Sequence, residues 1–498
     1  MLGAMTLDPR TPILVGQGQV SQHTDDLATA LDPIGLMAAA VTAAISDASL
    51  HGLPDADAIF AVRSLSTKHA NPALAVAQRL GISSRRFGVT PHGGNMPQSL
   101  VNIAAKQIAA GEMSIAILTG GEATRSRNRA RRSGIDLSWS AGVTGDSAPE
   151  SIGEDLLMNH AIEIERKIAM PIQIYPMFET AIRAASGRSV DEHKQFIGEL
   201  WSRFSKVAAT NPTAWIRKEY SASEITTPSQ ANRVIGFPYT KLMNSNNDVD
   251  MGAALIICSV ERAQTLGISK DKWVFLHSGT DCHEHNFVSH RDTFTETPAV
   301  RLGGEMAIHL ANKTIDEIDI IDLYSCFPSA VQLGAASLGL SINSQLTRTG
   351  GLSFNGGPWN NYVMHAIGTV MRDLRAAPQQ TALVWANGGY ATKHAFGIYA
   401  MTPPTNGFRH GSPQKMVDSL PRRAVADAAQ AVGPATIEAY SVMHDRDGAP
   451  EIVNAAVLLA DGRRAWATSS EKDLATAMTI GEWVGTPTTL TSDGALRC

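Results

Sequence analysis

One pattern runs through the first half of this chain and returns in the second: short apolar or β-branched runs alternate with longer segments of helical spacing. In the first half the runs are Ile13-Leu14-Val15-Gly16 and Ala58-Ile59-Phe60-Ala61-Val62, with helical patterns across about 35–48 and around 74–80. This alternation points to an α/β architecture, because crossover helices must cover the faces of a largely parallel sheet. A helix starting near Pro97 places Leu100, Ile103, Ala104, Gln107 and Ile108 roughly on one face and stops at Gly111. Proline suits its first turn, where the missing N–H would be unpaired anyway. The strand Ile115-Ala116-Ile117-Leu118 and then Gly120-Gly121 follow. The pattern returns in Ile318-Asp319-Ile320-Ile321-Asp322-Leu323, a helix opening at Pro328, and the strand Ala382-Leu383-Val384-Trp385, which reads as a second, comparable half.

Between the halves the text changes. Residues 123–245 are Arg-rich and helix-rich without regular strands, which predicts an inserted subdomain, and strand character resumes at Ala253-Ala254-Leu255-Ile256-Ile257-Cys258. Turn formers from Thr402-Pro403-Pro404 to Ser412-Pro413 read as a linker. Beyond it, residues 436–470 read as strands broken at Asp447-Gly448 and Asp461-Gly462, the mark of a small antiparallel β domain. The expected division is 1–122 with 246–290, an insertion at 123–245, a second half at 291–405, a linker at 406–413 and a β domain at 414–498.

A chain of 498 residues exceeds what one core usually supports. Its 44% hydrophobic and 18% charged residues are ordinary for a globular protein, and a net charge of −5 gives no general reason to expect nucleic acid. The cysteines, Cys258, Cys282, Cys326 and Cys498, form no CxxC pair, which argues against structural zinc and a disulfide framework. Cys282 with His283, His285 and His290 matches no zinc spacing. Met1-Leu2-Gly3-Ala4-Met5-Thr6 lacks the charged and apolar regions of a signal peptide, no window has the length of a membrane span, and Leu496-Arg497-Cys498 is not a peroxisomal tripeptide. A cytoplasmic protein is expected. Gly16-Gln17-Gly18-Gln19 lacks the third glycine of a dinucleotide fingerprint.

Four segments, in order, carry a resemblance: the helix-strand-Gly-Gly-Glu unit of 94–121, Tyr324-Ser325-Cys326-Phe327, Gly350-Gly351-Leu352-Ser353-Phe354-Asn355-Gly356-Gly357-Pro358, and Asn387-Gly388-Gly389. Over roughly 11–402 the chain resembles the thiolase superfamily, nearest the sterol-carrier-protein-2-thiolase branch. The resemblance implies a five-layered αβαβα fold of two related halves, followed here by a small C-terminal β-barrel or OB-like domain, and a homodimer by family precedent alone, with a monomer as the alternative.

It also implies acyl transfer from coenzyme A through a cysteine thiolate at a helix N-terminus, where the helix dipole lowers the thiol pKa. Aligned on Gly111 and Gly120-Gly121, that position is Gly94. The histidine that activates the thiol corresponds to Gly357, and the second, proton-moving cysteine to Trp385, or Ala386 with the register shifted by one. The residue orienting an oxyanion-binding group corresponds to Tyr324. Every reacting side chain is therefore replaced, and no thiolase turnover is expected.

Backbone N–H groups near Gly94, Gly388 and Gly389 are left to hold a thioester carbonyl, since an oxyanion hole requires no side chain. Arg125, Arg127, Arg129, Arg131 and Arg132 fall within eight residues where thiolases grip coenzyme A. Arginine forks suit its phosphates, and a solvated basic face is the alternative reading. The expected ligand is coenzyme A or an acyl-CoA, with no tightly bound cofactor and no metal. Two enzymatic alternatives stand beside this: an acyl-CoA-dependent acyltransferase with relocated residues, and a thiolase-like retro-aldolase of lipid or sterol breakdown. In the latter Tyr324 would be the base, its pKa lowered by neighbouring donors, although Ser325 stands where that motif has an acid. Cys326 corresponds to a packing residue of the family, and His394 reads as a satisfied histidine or a pocket acid-base group.

Overall fold

The computed structural model describes residues 7–137, 139 and 148–497. Met1 to Thr6 and Cys498 lie outside the described residues.

The first half runs β1 (Pro12–Ser21), α1 (Pro33–Asp47), β2 (Asp55–Ala61), α2 (Pro72–Leu80), β3 (Ser83–Val89), α3 (Met96–Ala110) and β4 (Ile115–Ala123). Local chemistry sets these boundaries. The Asp32 carboxylate accepts the Gly35 N–H at the start of α1, Asn71 does the same for Leu74 in α2, and Gly81 and Gly111 end α2 and α3 in the left-handed conformation. The Gly16-Gln17-Gly18 run is a packing device: a Cβ on Gly16 or Gly18 would lie 2.3 or 2.0 Å from the carbonyl oxygen of Ala44 or Ala40, so α1 lies directly on the strand. Gly120-Gly121 continues β4. The Asn361 amide occupies the space a side chain on Gly120 would need and donates to the Gly120 carbonyl at 2.7 Å.

The insertion holds α4 (Thr124–Ser133), β5 (Glu150–Ser151), α5 (Ala161–Glu165), α6 (Pro171–Ser186), α7 (Val190–Thr210), α8 (Ala222–Thr226), β6 (Val234–Phe237) and β7 (Tyr239–Thr240). It is helix-rich as expected but not free of strands. β5 pairs with the edge strand β3, and β6 pairs with a strand of the C-terminal sheet. β8 (Asp250–Ser259) and α9 (Val260–Thr265) return the chain to the first half.

The second half runs β9 (Val274–His283), α10 (Pro298–Leu310), β10 (Ile320–Leu323), α11 (Pro328–Ser337), α12 (Gly351–Phe354), α13 (Tyr362–Ala376), β11 (Thr381–Gly388) and β12 (Lys393–Ala400). The two halves mirror each other. Reading outward from their junction, β1-β8-β4-β2 and β9-β12-β11-β10 are each linked by two antiparallel pairings and then a parallel one. They join through a short antiparallel contact of β1 with β9, Ile13 opposite Phe275 and Leu14 opposite Val274, giving an eleven-stranded sheet among the described residues.

α3 and α13 each pack against strands of both halves, whereas α1 packs only on β1, β4 and β8 of the sheet and α10 only on β9, β12 and β13 (Arg409–Gly411). The layers are therefore αβαβα, with α3 and α13 in the buried middle. β13 lies inside the stretch read as a linker, yet it pairs in parallel with β9. The following α14 (Gln414–Asp418) buries Val417 against Cys282 and Leu302, so this segment is bound to the second half rather than free.

The C-terminal unit comprises β14 (Gly433–His444), β15 (Pro450–Leu459), β16 (Arg464–Ser469), α15 (Lys472–Ala477), β17 (Pro487–Leu490) and β18 (Leu496–Arg497). The Asp447-Gly448 and Asp461-Gly462 turns fall where expected, with both glycines at positive φ. The order β16-β15-β14-β17-β18 curls until its ends touch, where Thr468 N–H donates to the Gly494 carbonyl and Thr468 forms a parallel bridge with Ala495. Five strands closed this way, with a helix between the third and fourth, make an OB-like barrel. Among the described residues no helix is long and apolar enough to cross a membrane.

Candidate functional site

The first turn of α3 and the loop after β11 meet at the same end of the middle layer, around a cavity of about 510 Å³. Gly93, Gly94, Tyr324, Gly388 and Gly389 line its floor. Met158, Pro171 and Ile172 from the insertion, with Leu352 and Phe327, form apolar walls. The structure thus brings together Gly94, Tyr324, Gly388 and Gly389 from segments far apart in sequence.

Gly94 is crowded. A Cβ built there would lie 2.4 Å from the Asn387 carbonyl oxygen and 2.4 Å from Tyr324 Oη. The phenol fills the space that a side chain at the helix start would occupy. Among the described residues Tyr324 Oη has no hydrogen-bond partner; its ring stands edge-on to Tyr362, with centroids 5.6 Å apart. Burial, with Cys326 and Tyr362 alongside, holds the Tyr324 phenol well above the usual tyrosine range. It therefore keeps its proton and presents a donor. This corrects the expectation of a phenol activated by neighbouring donors, because no donor reaches it and burial disfavours the phenolate.

Gly357 is filled in the same way. It does not line the cavity, and a Cβ there would lie 2.2 Å from Ser245 Oγ and 2.9 Å from Asn247 Oδ1, two residues that do line it. Trp385 is fully buried and remote from the cavity wall. Its ring packs where Gly334 of α11 leaves room, and its Nε1–H donates to His394 Nδ1 at 3.3 Å. Ala386 is buried too, so neither register offers a proton carrier. His394 is buried and held well below the usual imidazole pKa by burial, with Arg291 and His283 adding to the effect, so it is neutral. Cys326 lines the cavity, but burial pushes its thiol up to about 12, which leaves it protonated and poorly nucleophilic.

The backbone around the glycines is firmly held. Tyr175 Oη donates to the Gly389 carbonyl at 3.1 Å and accepts from Asn387 Nδ2 at 3.0 Å and Ala391 N at 2.9 Å, while its ring stacks on Phe327. Tyr175 escaped the sequence reading because it lies in an apolar helical run of the insertion. Gly93 N–H donates to Asn360 Oδ1 at 3.1 Å, whereas the Gly94 and Gly389 N–H groups have no acceptor among the described residues. Lys393 is buried beneath Gly93 and donates through Nζ to the His92 carbonyl at 2.5 Å.

The five arginines do not converge on this cavity. Arg125 and Arg129 both bind Asp25, at 2.7 and 2.8 Å, and Arg125 lies over the Trp215 ring. Arg127 donates to the Leu65 carbonyl at 3.1 Å, near the cavity mouth, and Arg131 and Arg132 are exposed in the last turn of α4, where cations favour the helix dipole. Among the described residues no group of His, Cys, Asp and Glu is placed to hold a metal, so the Cys282 to His290 segment forms no such cluster.

Two mirrored α/β halves with an insertion between them, meeting over helix and loop glycines, define the thiolase class of fold. The chain belongs to the SCP2-thiolase-like proteins of the thiolase superfamily. It is 30% identical to a crystallised monomeric SCP2-thiolase-like protein type 1 (STLP1) from Mycobacterium smegmatis, with a TM-score of 0.83 and 98% of each chain covered. The family model of the thiolase-like protein type 1 additional C-terminal domain matches residues 413–495. An Ltp2-ChsH2(DUF35) aldolase shares the fold at 18% identity and TM-score 0.58, covering 79% of this chain and 98% of its own. An acetyl-CoA acetyltransferase from Syntrophomonas wolfei shares it at 15% identity and TM-score 0.54, covering 79% and 100%. No curated protein matches the chain.

Proposed function

We propose that this chain binds coenzyme A thioesters and does not catalyse thiolysis. The observation that carries this reading is the position of Tyr324 Oη, 2.4 Å from where a Gly94 side chain would begin. A cavity of about 510 Å³ lies within the size range of small-molecule sites. Its floor offers the Tyr324 hydroxyl and the free N–H groups of Gly94 and Gly389, donors suited to a thioester carbonyl, while its walls suit an alkyl chain.

With Gly357 and Trp385 at the positions of the family's acid-base residues, the bound thioester meets no activated nucleophile and neither of the family's own proton carriers. The relocated acyltransferase gains no support, because Cys326 keeps its proton. The retro-aldolase reading requires Tyr324 as a base, and its raised pKa argues against that role. The M. smegmatis relative is monomeric, and here β5 covers the β3 edge; both favour a monomer over the homodimer of family precedent.

Calorimetry with butyryl-CoA, paired with an acetoacetyl-CoA thiolysis assay, tests the proposal. Saturable binding without turnover is expected; clear thiolysis, or no heat at millimolar ligand, overturns it.

A further inference from the structure

A second cavity of about 450 Å³ adjoins the first and shares Leu65 and His92 with it. Its charged and imidazole groups are Arg63, Lys68, His69 and His92, and no carboxylate lines it. Among the described residues none of the four forms an ion pair. Arg63 uses only its Nε, donating to the Thr90 carbonyl at 3.0 Å, which leaves both terminal nitrogens free. The buried Nδ1 of His69 has no partner. Other cations around the first half are paired with carboxylates: Arg125 and Arg129 share Asp25, Arg86 binds Glu150 and Arg375 binds Asp47.

The walls of this second cavity are fixed before any ligand arrives. Glu122, buried under the loop, accepts the Leu65 and Ser66 N–H groups at 2.7 and 2.8 Å. Asn360 ties the partition between the cavities: its amide nitrogen donates to the Arg63 carbonyl at 2.9 Å and to His92 Nδ1 at 3.2 Å, and its oxygen accepts the Gly93 N–H. Accepting at Nδ1 leaves His92 with its proton on Nε2, a further donor.

We infer that this basic pocket binds a carboxylate carried on the acyl chain of the thioester, so that the ligand is the coenzyme A ester of a short dicarboxylic acid. The inference rests on the thioester reading above. Position decides for the acyl chain over the phosphates of coenzyme A. His92 is two residues from Gly94, so their Cα atoms are at most about 7.6 Å apart, whereas the diphosphate sits at the far end of the long pantetheine arm. An anion in this pocket is thus close to the thioester end. A planar carboxylate matches the guanidinium fork of Arg63, with Lys68 adding a compact charge.

The test is calorimetry of wild type and the Arg63→Gln/Lys68→Gln variant with glutaryl-CoA, butyryl-CoA, coenzyme A and free glutarate. Both substituted side chains are exposed, and an unchanged unfolding temperature confirms that the variant is folded. Wild type is expected to bind glutaryl-CoA about tenfold or more tighter than butyryl-CoA, the scale of charge-assisted hydrogen bonds. The variant is expected to bind the two within about twofold of each other. Equal affinity of the two esters in wild type, or a preference that survives in the variant, overturns the inference. So does a loss of coenzyme A affinity in the variant as large as that of glutaryl-CoA, which would assign the cations to the phosphates. If no coenzyme A species binds wild type, the thioester reading falls. Glutarate then decides the pocket by itself: binding that the variant loses upholds a carboxylate site, and no binding refutes it.

Discussion

Tyr324 Oη stands 2.4 Å from the point where a Gly94 Cβ would begin, so the two positions are complementary: the helix start has no side chain, and a phenol from the end of β10 takes its room. The start of α3 is thus tightly packed, with a buried aromatic residue filling the room beside Gly94.

Gly94→Cys is therefore expected to destabilise the protein without restoring thiolysis. Overpacking a filled site costs about 1–3 kcal/mol, and here one of the blocking atoms is the backbone oxygen of Asn387, which a rotamer change does not relieve. Urea unfolding with a thiolysis assay checks this. Adding Tyr324→Ala should give less than the summed loss of the two single changes, since both act on one space.

Tyr324→Phe separates packing from binding. The hydroxyl has no protein partner, so stability should stay within about 0.5 kcal/mol, as for changes that break no internal contact. The affinity for butyryl-CoA should fall by about three- to tenfold, the value of one hydrogen bond to the carbonyl. Calorimetry reads the affinity and thermal unfolding the stability.

Glu122 links the loop of the basic pocket to pH. Burial raises its carboxyl to about 7, outweighing the hydrogen bonds from Leu65 and Ser66. Because the folded-state value lies above that of the unfolded chain, the folded protein binds the extra proton between about 4.5 and 7. The resulting stabilisation is complete below about pH 4.5 and is lost as the pH rises through about 7. Glu122→Gln imitates the protonated form at every pH. Its unfolding temperature relative to wild type should therefore rise from pH 5 to pH 8, by the equivalent of on the order of 1–3 kcal/mol.

Arg125→Gln with Arg129→Gln should leave butyryl-CoA affinity within about twofold of wild type, because both guanidiniums are engaged by Asp25 outside the cavity. Calorimetry on the double variant is the check. A larger loss would return these arginines to the ligand site.

Some of the molecule was legible in one dimension. Helical and strand periodicities and the Asp-Gly turns are local signals, and they located the repeated α/β units and the small β domain. Glycine at 94 and 357 is likewise a plain fact of composition at a position, and it leaves those two positions without any side chain that could act as nucleophile or base. The reason for glycine at 120 was not legible, because the side chain that needs the space, Asn361, is distant in sequence. Tyr175 and Asn360 gave no local signal at all; each acts only by bonding to segments remote from it.

The sequence by itself determined the alternation that builds two halves and the absence of cysteine and histidine at positions 94, 357 and 385, since both depend on which residue follows which. Only the tertiary structure decided what surrounds those positions: Tyr324 against Gly94, Ser245 and Asn247 against Gly357, Asp25 drawing two arginines aside, and Arg63, Lys68, His69 and His92 around a pocket that no carboxylate lines. The physical reason is that excluded volume and charge neutralisation act between atoms in contact, and the long-range packing of the two halves and their insertion selects those contacts.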